Sequence, residues 1–276
     1  MNNSRHSKKF SIPVMRSISI AYVGIMIVLP ILAITMEAFH KGWAVVLRNI
    51  LTPQSLFSLK LTFVMAIVLV LINIVTGTAM AWVLVRYRFP FKNLINALID
   101  LPFAIPTVVT GMMLVALYGP NSAIGLFLSK MGIEIIYARP GIVLALLYVT
   151  FPFVVRAVQP VLMEMDLDME EAARTLGASP LTVFGRIVIP TLLPAILTGT
   201  ALSFSRALGE FGSIAIVAGN IPFRTQVSSV YIYGEIESYN PQGALGVSLV
   251  LLGCALVILI LLNLVQQWSR RHELAV

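Results

Sequence analysis

The chain has 276 residues, of which 58% are hydrophobic and 11% charged, against about 45–50% and about 25% in a soluble domain; with a mean hydropathy of +0.93 it reads as a membrane protein. The charges cluster, leaving uncharged stretches at 17–36, 61–85, 101–129, 140–155, 187–205 and 238–269, which excludes a large extramembrane domain. The net charge of +7 belongs to loops that keep Lys and Arg on the cytoplasmic face rather than to a nucleic-acid surface, and Cys254 as the single cysteine excludes an internal disulfide and a cysteine metal cluster.

Residues 1–16 form a polar, basic tail (Arg5, Lys8, Lys9, Arg16). The apolar run that follows is longer than the about 7–15 residues of a signal peptide, so it reads as an uncleaved first span over 17–36. Further spans are predicted over 61–85, 98–119, 140–158, 191–219 and 243–265, an all-α polytopic bundle of six transmembrane helices with both termini on one side. Twelve Lys and Arg fall in the tails and alternate loops on that side, and six on the other once Arg206 is set aside as intramembrane. Both termini are therefore expected in the cytoplasm. Leu101-Pro-Phe-Ala-Ile-Pro106 opens the third apolar stretch and cannot stay a regular helix. Broken helices persist in membranes where protein or a water-filled cavity satisfies the freed backbone, so the break implies either an internal path or a packing kink.

Five of the twelve acidic residues, Glu164, Asp166, Asp168, Glu170 and Glu171, lie within eight positions on the cytoplasmic side. Met169, Ala172, Ala173 and Leu176 follow at i, i+3, i+4 and i+7 and predict one apolar helix face, with Glu170 and Arg174 spaced i,i+4 on another. Asp168 is the expected N-cap, with Glu171 three residues on completing a capping box. Gly177 is expected to end the helix in the left-handed conformation, and Ser179-Pro180 to start a second one. Helices shorter than about 12–15 residues are marginal in water without tertiary contacts. This one therefore needs a surface, and its acidic start favours a groove in a cytoplasmic partner over anionic lipid headgroups.

Glu171-Ala-Ala173, then Gly177, then Ile187-Val-Ile-Pro190 resemble the EAA motif of permease subunits in binding-protein-dependent ABC importers, with Ile189 where leucine is usual. Tyr87-Arg-Phe-Pro90, Leu98-Ile-Asp-Leu-Pro-Phe-Ala-Ile-Pro106, Phe151-Pro-Phe-Val-Val-Arg156, Arg206-Ala-Leu-Gly-Glu-Phe-Gly212 and Phe223-Arg-Thr-Gln-Val-Ser-Ser229 narrow the likeness to the sulfate/thiosulfate branch. The molybdate/tungstate branch shares the EAA loop and the Gly-Glu-Phe-Gly segment. The resemblance implies a type I importer permease: a transmembrane domain over 57–265 containing a coupling loop at 159–190, and a cytoplasmic C-tail at 266–276. It assigns Asp168, Glu170, Glu171, Ala172, Ala173, Leu176, Gly177, Ile187 and Pro190 to coupling with an ATPase. It further implies a second, distinct permease chain, two ATP-binding subunits that hold ATP and Mg, an extracytoplasmic sulfate-binding protein, and a bacterial inner membrane around the complex. No Gly-Lys dipeptide occurs in the chain, so it has no phosphate-binding loop of its own, and no cofactor is expected on it.

Arg206 and Glu210 stand alone as charges in the stretch 191–219. Buried ionisable groups in a span face the bundle interior and pair, and i,i+4 spacing makes each the other's partner. Two readings stand: a cation that eases a dianion along the path, with Gly209, Glu210 and Gly212 in a moving gate, or an ion pair that locks the fifth span. A stand-alone anion transporter or a membrane enzyme would need no coupling loop. No nucleophile, base or metal-ligand spacing favours the enzyme.

Overall fold

The structure, a computed structural model, describes residues 15–273; the basic tail over 1–14 and the last three residues lie outside them. Among the described residues the chain is wholly helical. Five long apolar helices are α1 (Met15–Phe39), α3 (Pro53–Arg86), α7 (Arg139–Glu164), α9 (Pro180–Leu208) and the last, α12 (Pro241–Glu273). Between them lie α2 (Trp43–Ile50), α4 (Lys92–Ala104), α5 (Thr107–Tyr118), α6 (Ala123–Lys130), α8 (Leu167–Thr175), α10 (Gly212–Ala218) and α11 (Ser228–Glu237).

Two of the expected spans are not single helices. The stretch 98–119 is split into α4 and α5, which meet at 114°. Pro106 pushes Ile105 to an extended conformation, φ −87° and ψ 128°, because its ring clashes with a helical residue before it. The expected span 191–219 instead starts at Pro180 and stops at Leu208, and α10 is a separate short helix beyond Gly209. The second span also starts earlier than 61: Thr52 caps α3 by accepting from the Ser55 amide at 3.3 Å, and Pro53 takes the first helical position.

The bundle closes on α7. Gly77 of α3 and Gly199 of α9 both face Val154, and a Cβ on Gly199 would lie 2.7 Å from the Val154 Cα. Small residues at such crossings let backbones approach where lipid supplies no hydrophobic drive between helices. Hydrogen bonds join the same three helices: the Asn73 side-chain amide donates to the Thr150 hydroxyl at 2.9 Å, and the Ser203 hydroxyl to the Thr150 carbonyl at 3.3 Å. Leu69, Leu84, Ile142, Leu162, Leu192 and Leu208 fill the core around them. α1 sits at the edge against α12, with its most apolar stretch unburied by the rest of the chain.

Candidate functional site

The loop between α7 and α9 holds most of the residues assigned to coupling. Its helix α8 begins two residues earlier than the pattern predicts. Asp166, not Asp168, is the cap: its carboxylate accepts from the Asp168 amide at 3.0 Å. The capping box of Asp168 and Glu171 does not form. Asp168 lies inside the first turn, where its charge still complements the helix dipole, and Glu171 is exposed. The C-terminus matches expectation: Gly177 has φ +85°, its amide donates to the Arg174 carbonyl at 3.0 Å, and the Ala178 amide donates to the Ala173 carbonyl at 3.0 Å. That pair of bonds is the Schellman arrangement. Ser179 then accepts from the Thr182 amide at 3.2 Å, with Pro180 next in the helix.

The second short helix is continuous with the span. A π turn at Phe184–Val188 carries α9 past Pro190, with the Ile189 amide reaching back to the Phe184 carbonyl. Proline has no N–H to extend the α-helical ladder, and the wider turn accommodates the gap. Pro190 is exposed just beyond it, whereas Ile187 packs into the core around Leu84, Val188 and Leu192. Ile187 thus anchors the loop to the bundle.

Glu170 and Arg174 meet as their i,i+4 spacing predicts, and Glu170 is turned inward. It is buried, forms an ion pair with Arg86 at the end of α3, and holds Arg174 at 3.3 Å. The Arg86 guanidinium lies 5.2 Å from the Trp82 ring centre, and Trp82 meets Phe184 edge to face at 5.3 Å. This chain of contacts bolts α8 to α3 and α9. Beside the exposed Asp168, Glu171 and Arg174 the loop presents apolar side chains: Met169, Ala172, Leu176 and, across the turn, Leu181 are exposed, Leu176 to 89% and Leu181 to 84%, while Ala173 is half-covered. Two leucines flanking a rigid glycine turn form a knob that water disfavours and a groove in another protein would cover.

Gly177→Val is expected to leave the chain inserted and assembled while cutting ATP-driven uptake about tenfold or more, because a β-branched residue at φ +85° costs on the order of 1–3 kcal/mol and the turn between the leucines reshapes to avoid it. Paired measurements of membrane abundance and uptake check this.

Arg206 and Glu210 do pair, at 2.7 Å, with Glu210 buried to 1% side-chain exposure. The other Glu210 oxygen accepts from the Ser213 amide at 3.0 Å and its hydroxyl at 2.9 Å, and the Glu210 carbonyl accepts from the Ser229 hydroxyl at 2.6 Å. The Glu210 carboxylate therefore holds Arg206 of α9 and caps α10, and its backbone carbonyl ties this joint to α11. Gly212 is needed where α10 crosses α5, since a Cβ there would lie 2.3 Å from the Thr107 hydroxyl; Gly209 faces open space. The arrangement is that of a joint between three helices. Among the described residues no His, Cys, Asp and Glu cluster could hold a metal.

Sequence reasoning did not pair Arg86 with Glu170, nor Arg156 with Asp100, which lie 2.6 Å apart. The available signal was that Arg86, Asp100 and Arg156 each border an uncharged apolar stretch.

A model of the binding-protein-dependent transport system inner membrane component family matches residues 73–272. The chain belongs to that family. Curated relatives extend the likeness upstream: the "Sulfate transport system permease protein CysT" of Synechocystis sp. is 40% identical across 92% of this chain and 89% of its own, and that of Salmonella typhimurium is 41% identical across 92% of both. A solved bacterial ABC transporter "involved in the import of the acidic polysaccharide alginate" shares the fold, with TM-score 0.76 over 96% of each chain at 18% identity. As a member of this family, the chain is a multi-pass membrane component of a transport system, and the α7–α9 loop lies within the matched region.

Proposed function

We propose that this chain is the permease subunit of an ATP-driven sulfate importer that also passes thiosulfate. In this reading it forms half of the translocation path and takes its power from ATP and Mg held by two separate cytoplasmic subunits. The observation that carries the sulfate assignment is the 40% identity to a sulfate permease across nine-tenths of both chains. The exposed Leu176 and Leu181, held rigidly by Gly177 and Ser179, support docking of the loop into the ATPase. The inward ion pair of Glu170 supports a second step, in which movement of α8 is passed to α3 through Arg86.

The loop end of the bundle carries Arg86, Arg88, Lys92, Arg174 and Arg186, which supports its placement in the cytoplasm of a bacterial inner-membrane complex with both termini on that side. A second, distinct permease chain and an extracytoplasmic sulfate-binding protein complete the machine. Tight recognition belongs to the binding protein, since stripping a dianion of water demands many donors and the spans offer few. Radiolabelled sulfate uptake in a strain lacking this chain tests the reading. Restored uptake that collapses when ATP is depleted is expected. Restoration of molybdate but not sulfate uptake would overturn the substrate, and uptake without any copurifying ATPase would overturn the power source.

A further inference from the structure

Arg156 of α7 has all five of its guanidinium N–H donors engaged. Nε donates to Asp100 Oδ1 at 2.6 Å and Nη2 to Asp100 Oδ2 at 2.6 Å; Nη1 donates to Asn96 Oδ1 at 2.8 Å and Gln159 Oε1 at 2.6 Å; Nη2 also reaches the Asn96 carbonyl at 2.7 Å. The two charged residues lie at the same depth. Asp100 is eight residues from the start of α4 and Arg156 eight from the end of α7, so each lies about 12 Å along its helix from the loop end.

This pair is not sealed inside the chain. The Asp100 side chain is 50% exposed and that of Arg156 28%. Charges within a span are turned to a water-filled cavity or another protein and away from lipid, so this partly exposed seam of α4 and α7 is not a lipid-facing one. Toward the bend the seam is closed by Phe103 and Phe153, edge to face at 5.2 Å. The carboxylate is carried by a 13-residue helix that ends at the Pro106 break, where α5 departs at 114°.

Resting on the sulfate-permease reading, we propose that Arg156 is the anion-receiving residue of the translocation path and Asp100 its exchangeable counter-ion. The two Asp100 oxygens occupy the guanidinium fork as two oxygens of a tetrahedral oxyanion dianion would. A swing of α4 withdraws the carboxylate and frees Nε and Nη2, while Asn96 and Gln159 supply neutral donors beside them. Return of Asp100 repels the dianion and restores the resting pair. The carboxylate therefore keeps the path from becoming a trap for the anion it conducts.

The test uses the complete importer in proteoliposomes, with radiolabelled sulfate uptake and ATP hydrolysis stimulated by the loaded binding protein measured together. Arg156→Gln is expected to lower uptake about tenfold or more while stimulated hydrolysis stays within about twofold, and Asp100→Asn to slow uptake about threefold to fivefold. The double variant, which carries no intramembrane charge at the seam, is expected to assemble as wild type and to keep the tenfold uptake defect. Recovery of uptake in the double variant, or its failure to assemble, would make the pair a structural strut and overturn the proposal. Absence of sulfate uptake by the wild-type importer would instead overturn the reading on which the proposal rests.

Discussion

Glu170→Ala is expected to destabilise the assembled protein by about 3–5 kcal/mol, the usual cost of stripping one partner from a buried ion pair. Arg86 is the group left exposed to that penalty: its side chain is 15% accessible, and the Trp82 face alone remains against it. Arg174, 57% exposed, loses little by turning to water. Uptake should fall further than stability, because α8 then hangs on Gly177 and Ser179 without its tie to α3. Thermal inactivation of the purified complex and uptake per ATP hydrolysed separate the two effects. The pair Arg86→Met with Glu170→Met should regain thermal stability, since apolar replacement of both ions removes the unpaired charge, yet remain poorly coupled. Unchanged thermal stability in Glu170→Ala would contradict the inward pairing.

The second large effect is expected at Glu210. Glu210→Ala removes the Arg206 partner and the cap on the Ser213 amide together. The pair contributes about 3 kcal/mol, the low end for a buried pair because Arg206 is 35% exposed, and the cap about 1 kcal/mol more. Yield and thermal stability should therefore fall, with α10 and α11 loosened from the end of α9. Arg206→Ala should also destabilise, because it leaves the Glu210 charge buried with only the Ser213 donors. A gate would give the opposite pattern, with uptake lost about tenfold and stability intact. Thermal denaturation of both variants beside sulfate uptake decides between the joint and the gate.

Much of the architecture was legible before any coordinates. Uncharged stretches located the spans because a bilayer admits few charges. Gly177, Ser179 and Pro180 placed the turn between α8 and α9 because capping depends on residues within four positions of one another. The same local reasoning failed at Asp168, since Asp166 offered an equally good cap two positions earlier. It also overran the fifth span at Gly209, where apolar sequence resumes after Glu210 but Glu210 is committed to capping α10.

The sequence by itself determined that this chain is a helical membrane protein with a capped loop between two spans, and it carried the likeness to importer permeases. The tertiary structure alone decided that Glu170 turns inward to Arg86, that Arg156 holds Asp100, and that Glu210 joins three helices. The physical reason is that a span apolar on every side has no amphipathic stripe to announce its inner face. Which faces meet across 56 or 84 residues of chain is set by close packing at small residues such as Gly77 and Gly199 and by the need of each intramembrane charge for a partner.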